Sequence, residues 1–370
     1  MLEHEATLCR KGGLILGLSM RQLAELAGVS RGTIDRALND RPGIAPEVRA
    51  KILQLAQDHG YRSNRAGRML RLNKSPLLIG IQMPARNNPF FQAVRAGIEQ
   101  AARDLADFGL SVVWRTMPGY DSAAQVRQVQ ELIQAGVHGL ALVPIDQEPV
   151  RRELAGLAAQ EIPVIALNND VSDGRRLCYI GNDYLHSGRI AAGLLGLATG
   201  PDPVPTLILT GSNQILGHNQ RVSGFRETVA ARYPWIQVEA VRENLDDDAL
   251  SFSLVMEHLD GHPELRAVYL AAGGVAGACR ALAARGLTGR VRVVCFDLLD
   301  ETARCLRDGR ITAAISQEPE RQGYLAVKTL YDYLLDGTRP PDRIITKNEI
   351  IIREHEDVSE HTAAGQRRIP

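Results

Sequence analysis

Long apolar runs are missing from this 370-residue chain. The longest near the N-terminus, Gly12 to Leu18, falls far short of the roughly 20 residues that span a bilayer, so no transmembrane segment is expected. Cysteine is scarce: Cys9, Cys178, Cys279, Cys295 and Cys305 are odd in number, scattered, and never form a CxxC pair. That argues against a disulfide framework or a cysteine zinc site and fits a reducing cytoplasm. Arg10 and Lys11 precede the short apolar run, but no small-residue cleavage site follows before a polar helix begins at Met20, so a secretory leader is not expected. Aromatics are few, with 2 Trp, 9 Tyr and 6 Phe, and adjacent ones therefore stand out. Net charge is absent too, since 43 Lys+Arg balance 43 Asp+Glu.

What is present is an ordinary globular composition, 45% hydrophobic and 23% charged, in a chain long enough for two or three domains at about 100–200 residues each. The zero net charge hides an asymmetry. Residues 20–75 hold 11 basic and 5 acidic residues, a net +6, whereas the stretch after 75 holds 30 and 36, a net −6. A small basic module on an acidic body is the footprint of a polyanion binder, because each neutralised phosphate releases counterions. The competing reading of that charge is a solvated basic face.

In the basic module Leu23, Leu26 and Ala27 share one face of a first helix that ends at Gly28. Ser30 then caps a second, with Ile34, Ala37 and Leu38 as its apolar stripe. Pro46 opens a third, marked by Val48, Ile52, Leu55 and Ala56, with Ile44 and Tyr61 available to close a small core. Helix, tight turn, helix predicts major-groove docking with Ser30, Arg31, Gly32 and Thr33 at the base edges. Arg31 can take guanine bidentately, Arg36 one turn on is better placed for phosphate, and Asn39 is a further DNA-binding candidate. Asp35 either accepts from cytosine N4 or pairs with Arg31 or Arg36.

The segment AGVSRGTIDRALNDRPGI resembles the headpiece of the lac-repressor family of transcription regulators. Ala27 to Ser30 match that family's A-G-V-S turn. Two departures, Gly32 and Asp35, stand where relatives carry polar readers and serine, so the resemblance does not extend to a particular operator sequence. RSNRAGRMLRLNKS resembles the family's hinge helix, with Asn64 matched and Leu70 at the minor-groove wedge position. Ser63 replaces the family's proline and Gly67 costs about 1 kcal/mol of helix propensity, so a plain linker is the alternative reading.

Beyond residue 76 apolar strands alternate with amphipathic helices: 77–83, 111–117, 139–145, 163–169, 206–212, 267–272, 291–297 and 313–318 all read as strands. This is the rhythm of parallel sheets, and nearly 280 residues of it predict two lobes. Ligands of such sheets bind beyond the carboxyl ends of the strands. Those ends carry Asn87, Asn88, Phe90 and Phe91, then Asn168, Asn169 and Asp170, then Asn182 and Asp183, then Asp297, then Gln317, with Arg221 just inside a helix. Amides, a carboxylate, a guanidinium and paired aromatics suit a neutral polyhydroxyl ligand. Each also has a plain structural reading: one phenylalanine as core, the asparagines and Asp170 as caps, Arg221 as a solvated helix residue.

The motifs NNPFF, IPVIALNND, YIGNDYLHSGRIAAGLL, RVSGF, VVCFD and AISQEPERQGYLAVKTL resemble the type-1 periplasmic sugar-binding fold in its ribose-binding branch, which is also the effector domain of the lac-repressor family. The resemblance implies ligand contacts at Asn88, Phe90, Phe91, Asn168, Asn169, Arg221, Asp297 and Gln317. Asn168 and Asn169 replace the aspartate and arginine of ribose binders, and Gly273 and Gly274 leave space or backbone donors where those have an asparagine. The implied effector is a small neutral sugar, polyol or cyclitol.

The expected fold is α/β: a three-helix helix-turn-helix headpiece and hinge helix, then a two-lobed, Rossmann-like parallel-sheet binding fold of the periplasmic type 1. The expected boundaries are an extension at 1–19, headpiece 20–61, hinge 62–75, effector domain 76–358 and tail 359–370. Within the effector domain one lobe takes 76–183 with 318–336, the other 184–317 with 337–358. The expected function is a cytoplasmic, ligand-controlled regulator, a repressor, acting as a homodimer on pseudo-palindromic double-stranded operator DNA. A sugar-binding transport receptor is the alternative. No enzyme is expected, since GxSxG, phosphate-loop and zinc signatures are missing. No cofactor, metal or membrane partner is expected either. His258 and His262, four apart on a helix, lack a third ligand in sequence.

Overall fold

The computed structural model describes residues 20–38, 42–59, 76–84, 89–172 and 174–355. It divides into two units, one running to Lys74 and the other from Ser75.

In the first unit, α1 (Met20–Ala27), α2 (Arg31–Leu38) and α3 (Pro46–Asp58) pack around Leu23, Ala24, Ala27, Ile34, Ala37, Ile52 and Ala56. Ile44, Val48 and Leu55 close the edges of this cluster. Gly28 turns the chain with φ +69°, a left-handed conformation that glycine reaches without steric cost. Leu26 departs from the expected stripe: it is half exposed while Ala24 is buried, because the eight-residue helix rotates its small alanine face toward α2 and α3. Tyr61, Asn39, Asn64 and Leu70 lie outside the described residues.

The second unit holds two six-stranded sheets. The first has the order β11-β5-β4-β3-β1-β2, from β1 (Leu77–Pro84), β2 (Leu110–Met117), β3 (Gly139–Leu142), β4 (Val164–Asn168), β5 (Cys178–Gly181) and β11 (Arg343–Ile345). The second has the order β12-β10-β9-β8-β6-β7, from β6 (Val204–Thr210), β7 (Ile236–Glu243), β8 (Ala267–Leu270), β9 (Arg292–Phe296), β10 (Ala313–Ser316) and β12 (Glu349–Ile351). All pairings are parallel except that of β12 with β10. Strand burial explains the continuous apolar runs. Leu207, Leu209, Val268, Leu270, Val293 and Cys295 pack into one core, whereas Ile208, Tyr269, Val294 and Phe296 pack into the core on the opposite face.

Helices flank both sheets: α4 (Pro89–Ala106), α5 (Ser122–Gln134), α6 (Glu148–Ala159) and α12 (Pro319–Asp336) in the first lobe, and α7 (Tyr184–Ala198), α8 (Leu216–Arg232), α9 (Asp248–Gly261), α10 (Val275–Ala284) and α11 (Asp300–Arg307) in the second. The chain crosses between lobes after β5, after β10 and again between β11 and β12. The lobe boundary expected at residue 337 is therefore too early. β11 pairs with β5 of the first sheet, and the third crossing falls at Thr346–Asn348. β5, β7, β11 and β12 have no counterpart among the sequence-read strands, β5 being only four residues long. β7 is an exposed edge strand whose polar alternation lacks an apolar run, and β11 and β12 are three residues each.

Candidate functional site

Two surfaces carry the expected site residues. On the headpiece, Ser30 sits immediately before α2. Its Oγ accepts from the Thr33 amide at 3.1 Å and lies 2.9 Å from the Thr33 hydroxyl, so it caps the helix as its sequence position predicts. Arg31, Gly32 and Arg36 are exposed along the first turns, and Thr33 is half-buried. Arg36 Nε donates to the Gly32 carbonyl at 3.1 Å, which folds the guanidinium back along its own helix.

In the second unit the lobes enclose a cleft of about 1010 Å³ at the carboxyl ends of their strands. Phe90, Phe91, Asn168, Asn169, Arg221, Asp297 and Gln317 all line it, although they come from positions more than 220 residues apart in sequence. Asn88 lies outside the described residues. Phe90 is buried and Phe91 half-buried at the start of α4, their rings edge to face at 5.2 Å, so one anchors the other against the cleft wall.

Arg221 is the central cation. It projects from α8 and is 3% exposed, its guanidinium 3.5 Å over the Phe296 ring and 4.6 Å from Tyr184. Nη1 donates to the Ala271 carbonyl at 2.8 Å. Nε and Nη2 are buried and find no acceptor among the described residues. Close helix packing holds it there, because α7 and α8 meet at glycines. A Cβ on Gly188 would stand 2.1 Å from the Arg221 carbonyl oxygen, and one on Gly224 would stand 2.1 Å from that of Leu185.

Asp297 follows β9 immediately, with φ +64°, and lines the cleft. Gln317 Nε2 donates to both its oxygens, at 3.0 and 3.1 Å, while Gln317 Oε1 stays buried without a donor among the described residues. Burial pushes the Asp297 carboxyl up to about 6; Arg221 and the Gln317 amide pull it back, and Asp246 and Glu320 push it further up.

Not every strand-end residue faces ligand space alone. Asn168, at φ +63°, donates through Nδ2 to Gln322 at 3.2 Å, and its carbonyl accepts from the hydroxyls of Tyr179 and Tyr184. Asp170 is paired bidentately with Arg176. Asp183 caps α7 through the His186 amide. Asn182 is wholly buried where the chain crosses between lobes, donating to Asn348 Oδ1 at 2.9 Å, and Thr346 and Gln322 tie the other crossings into the same network. These amides form a hinge. Gly273 is not an open donor, since its N–H is given to Asp246 Oδ1 at 2.8 Å.

Sequence reasoning missed Tyr120, Tyr184, His218, Asp246 and Phe296, all of which line the cleft. Tyr120 of the first lobe donates to Asp246 Oδ2 of the second at 2.7 Å, across the mouth. Burial and the facing carboxylate raise the phenol's pKa, so the proton stays on Tyr120. Burial lowers that of His218, whose Nδ1 accepts from the Ser212 amide at 3.1 Å; the neutral ring then carries its proton on Nε2. Asp246 comes from the loop after β7 and His218 from the first turn of α8, and no apolar pattern marks either.

A two-lobed α/β fold with a hinged polar cleft, preceded by a helix-turn-helix unit, defines a class of ligand-binding regulators. Residues 79–338 match the periplasmic binding protein domain, and residues 19–64 match the bacterial regulatory proteins of the lacI family. The chain belongs to the periplasmic binding protein domain family and carries a lacI-family helix-turn-helix domain ahead of it. Ribose import binding protein RbsB of Bacillus subtilis is 28% identical over 264 residues, covering 71% of this chain and 83% of that protein. HTH-type transcriptional regulator CelR of Thermobifida fusca is 24% identical over 347 residues, covering 91% of this chain and 97% of that protein. Among solved structures, an ABC transporter solute-binding protein from Burkholderia graminis in complex with D-arabinose superposes with TM-score 0.71 at 25% identity, over 75% of this chain and 96% of that one. Taken together, the helix-turn-helix headpiece, the binding-protein domain and a regulator relative spanning both make this chain a sugar-responsive DNA-binding regulator. No described helix is long and apolar enough to cross a membrane.

Proposed function

We propose that this regulator is a repressor that binds pseudo-palindromic operator DNA as a homodimer and takes a free, uncharged sugar, polyol or cyclitol in its cleft. In this reading α2 enters the major groove, with Arg31 as base reader and Ser30, Thr33 and Arg36 setting its register. The cleft residues bind and orient the effector without transforming it, and no catalytic step is assigned to them.

The observation that carries the effector assignment is Arg221. Its Nε and Nη2 nitrogens are buried without an acceptor among the described residues, beside an Asp297 carboxylate already held by Gln317. A buried donor left unmade costs about 1–3 kcal/mol, so hydroxyl oxygens on a ligand are strongly favoured there. Among the lining residues Asp246, Asp248, Asp297, Asp300, Glu301 and Glu320 outnumber Arg221 and Arg304, which disfavours a phosphate. Phe91 and Tyr184 offer apolar faces for sugar C–H surface.

The test is a thermal-shift screen of the full chain against pentoses, hexoses, polyols, inositols and their phosphates, followed by gel-shift titration on its upstream DNA. A free neutral compound at 100 times its Kd should add about 2.7 kcal/mol of stability and alter DNA retention. A response to phosphorylated compounds alone would overturn the effector class.

A further inference from the structure

Outside the cleft, the structure gathers two histidines and a glutamate that the regulatory function does not use. His258 lies in the last turn of α9 and His262 is its C-cap four residues on, and their imidazoles stack side by side. The sequence offers no neighbouring third ligand, but the sheet does: β7, the edge strand preceding α9, presents Glu239 to the same pair. Glu239 Oε2 lies 3.0 Å from His258 Nε2, and Oε1 lies 3.6 Å from His262 Nδ1. One donor atom from each of the three falls within 4.8 Å of the others. The imidazoles are stacked almost parallel, 12° apart with centroids at 4.5 Å, so both turn a nitrogen toward one carboxylate. Glu264 Oε1 stands 3.8 Å from His262 Nδ1 as a further oxygen donor.

We propose that Glu239, His258 and His262 form a binding site for a borderline divalent transition-metal ion, of which zinc is the representative. A simple hydrogen bond accounts for His258 and Glu239 alone. It does not account for a second imidazole stacked on the first and facing the same carboxylate. Two imidazole nitrogens and a carboxylate oxygen are a donor set that suits zinc, nickel or copper and disfavours magnesium or calcium, which prefer oxygen-only shells. His258 is held by burial at 8% exposure while His262 is open to solvent, so one arm is preorganised and the other admits the ion. The ion would bridge β7 to the end of α9. The loop at the opposite ends of these two elements carries Leu245 and Asp246 into the effector cleft, so the bridge ties the strand and helix on which Asp246 rides.

The experiment uses the full chain without a histidine tag, stripped with chelator and titrated with zinc chloride against a chromophoric competitor. Wild type should bind one equivalent that His262→Ala and Glu239→Gln each weaken by at least about tenfold, while magnesium chloride produces no competition. Both changes lie at side chains with solvent access, and a thermal melt confirms that the variants fold. Cobalt should give the visible absorption of a low-coordinate nitrogen and oxygen site in wild type and lose it in His262→Ala. Zinc uptake unchanged in both variants, or no uptake in wild type, overturns the site. Neither result bears on the sugar response, which is read separately by the effector screen.

Discussion

At the scale of single residues, Asp297 shows how environment makes a common side chain specific. Its carboxyl, ordinarily titrating near 3.8, is raised to about 6 in the folded protein, chiefly by burial. The native state therefore holds a proton that the unfolded chain has already lost across that window. Stability associated with this group is fully present below about 3.8 and is lost as pH rises through about 6. Denaturant unfolding of wild type and Asp297→Asn at several pH values should show their stability difference moving against wild type between pH 4 and 7. A pH-independent difference would contradict the burial assigned to Asp297. Phe90, Phe91, Arg221, Asp297 and Gln317 were legible in sequence because they follow apolar runs or sit in motifs. Tyr120, His218 and Asp246 were not. Tyr120 and Asp246 lie in polar loops and His218 in the first polar turn of α8, and their convergence depends on how far each segment reaches, which no local pattern encodes.

At the scale of elements, the pairing of α7 with α8 places Arg221, and glycine permits it. Gly188→Ala would push a methyl group against the Arg221 carbonyl oxygen, which is backbone and cannot rotate away. We expect a loss of about 1–3 kcal/mol in stability from overpacking, together with weaker effector binding as α8 is displaced. Thermal melts and calorimetric titration of the variant check both, and Gly193→Ala, 3.8 Å from its nearest neighbour, serves as control. Buried strands and amphipathic helices were readable because β1, β4, β6, β8 and β9 are apolar on both faces. β7 escaped because an edge strand needs no such run. That same edge position brings Glu239 beside His258 and His262, so the element hardest to read supplies the third side of the proposed metal site.

At the scale of the whole molecule, three chain crossings and the hydrogen bonds of Tyr120 to Asp246 and of Tyr184 to Asn168 govern how the lobes meet. Tyr120→Phe removes the 2.7 Å contact to Asp246 while leaving the amide hinge of Asn182, Gln322, Thr346 and Asn348 intact. Hydrogen bonds to charged groups are worth about 1.5–3 kcal/mol, so the variant should bind effector more weakly by that order, measured by calorimetry. Effector and operator must also be coupled reciprocally. The shift in effector affinity on adding operator should equal the shift in operator affinity on adding effector, by about 1–3 kcal/mol, and unequal shifts in paired titrations would exclude a simple linkage. The order of apolar and polar residues by itself determined the headpiece, the alternation of strand and helix, and the strand ends that line the cleft, because burial and capping are local demands written at fixed spacing. Tertiary structure alone decided that β11 returns to the first sheet, that Asn168 and Asn182 serve the hinge, that Asp246 faces Tyr120, and that Glu239 meets two histidines. Each of these depends on contacts between segments far apart in sequence, which only the packed lobes bring within hydrogen-bonding distance.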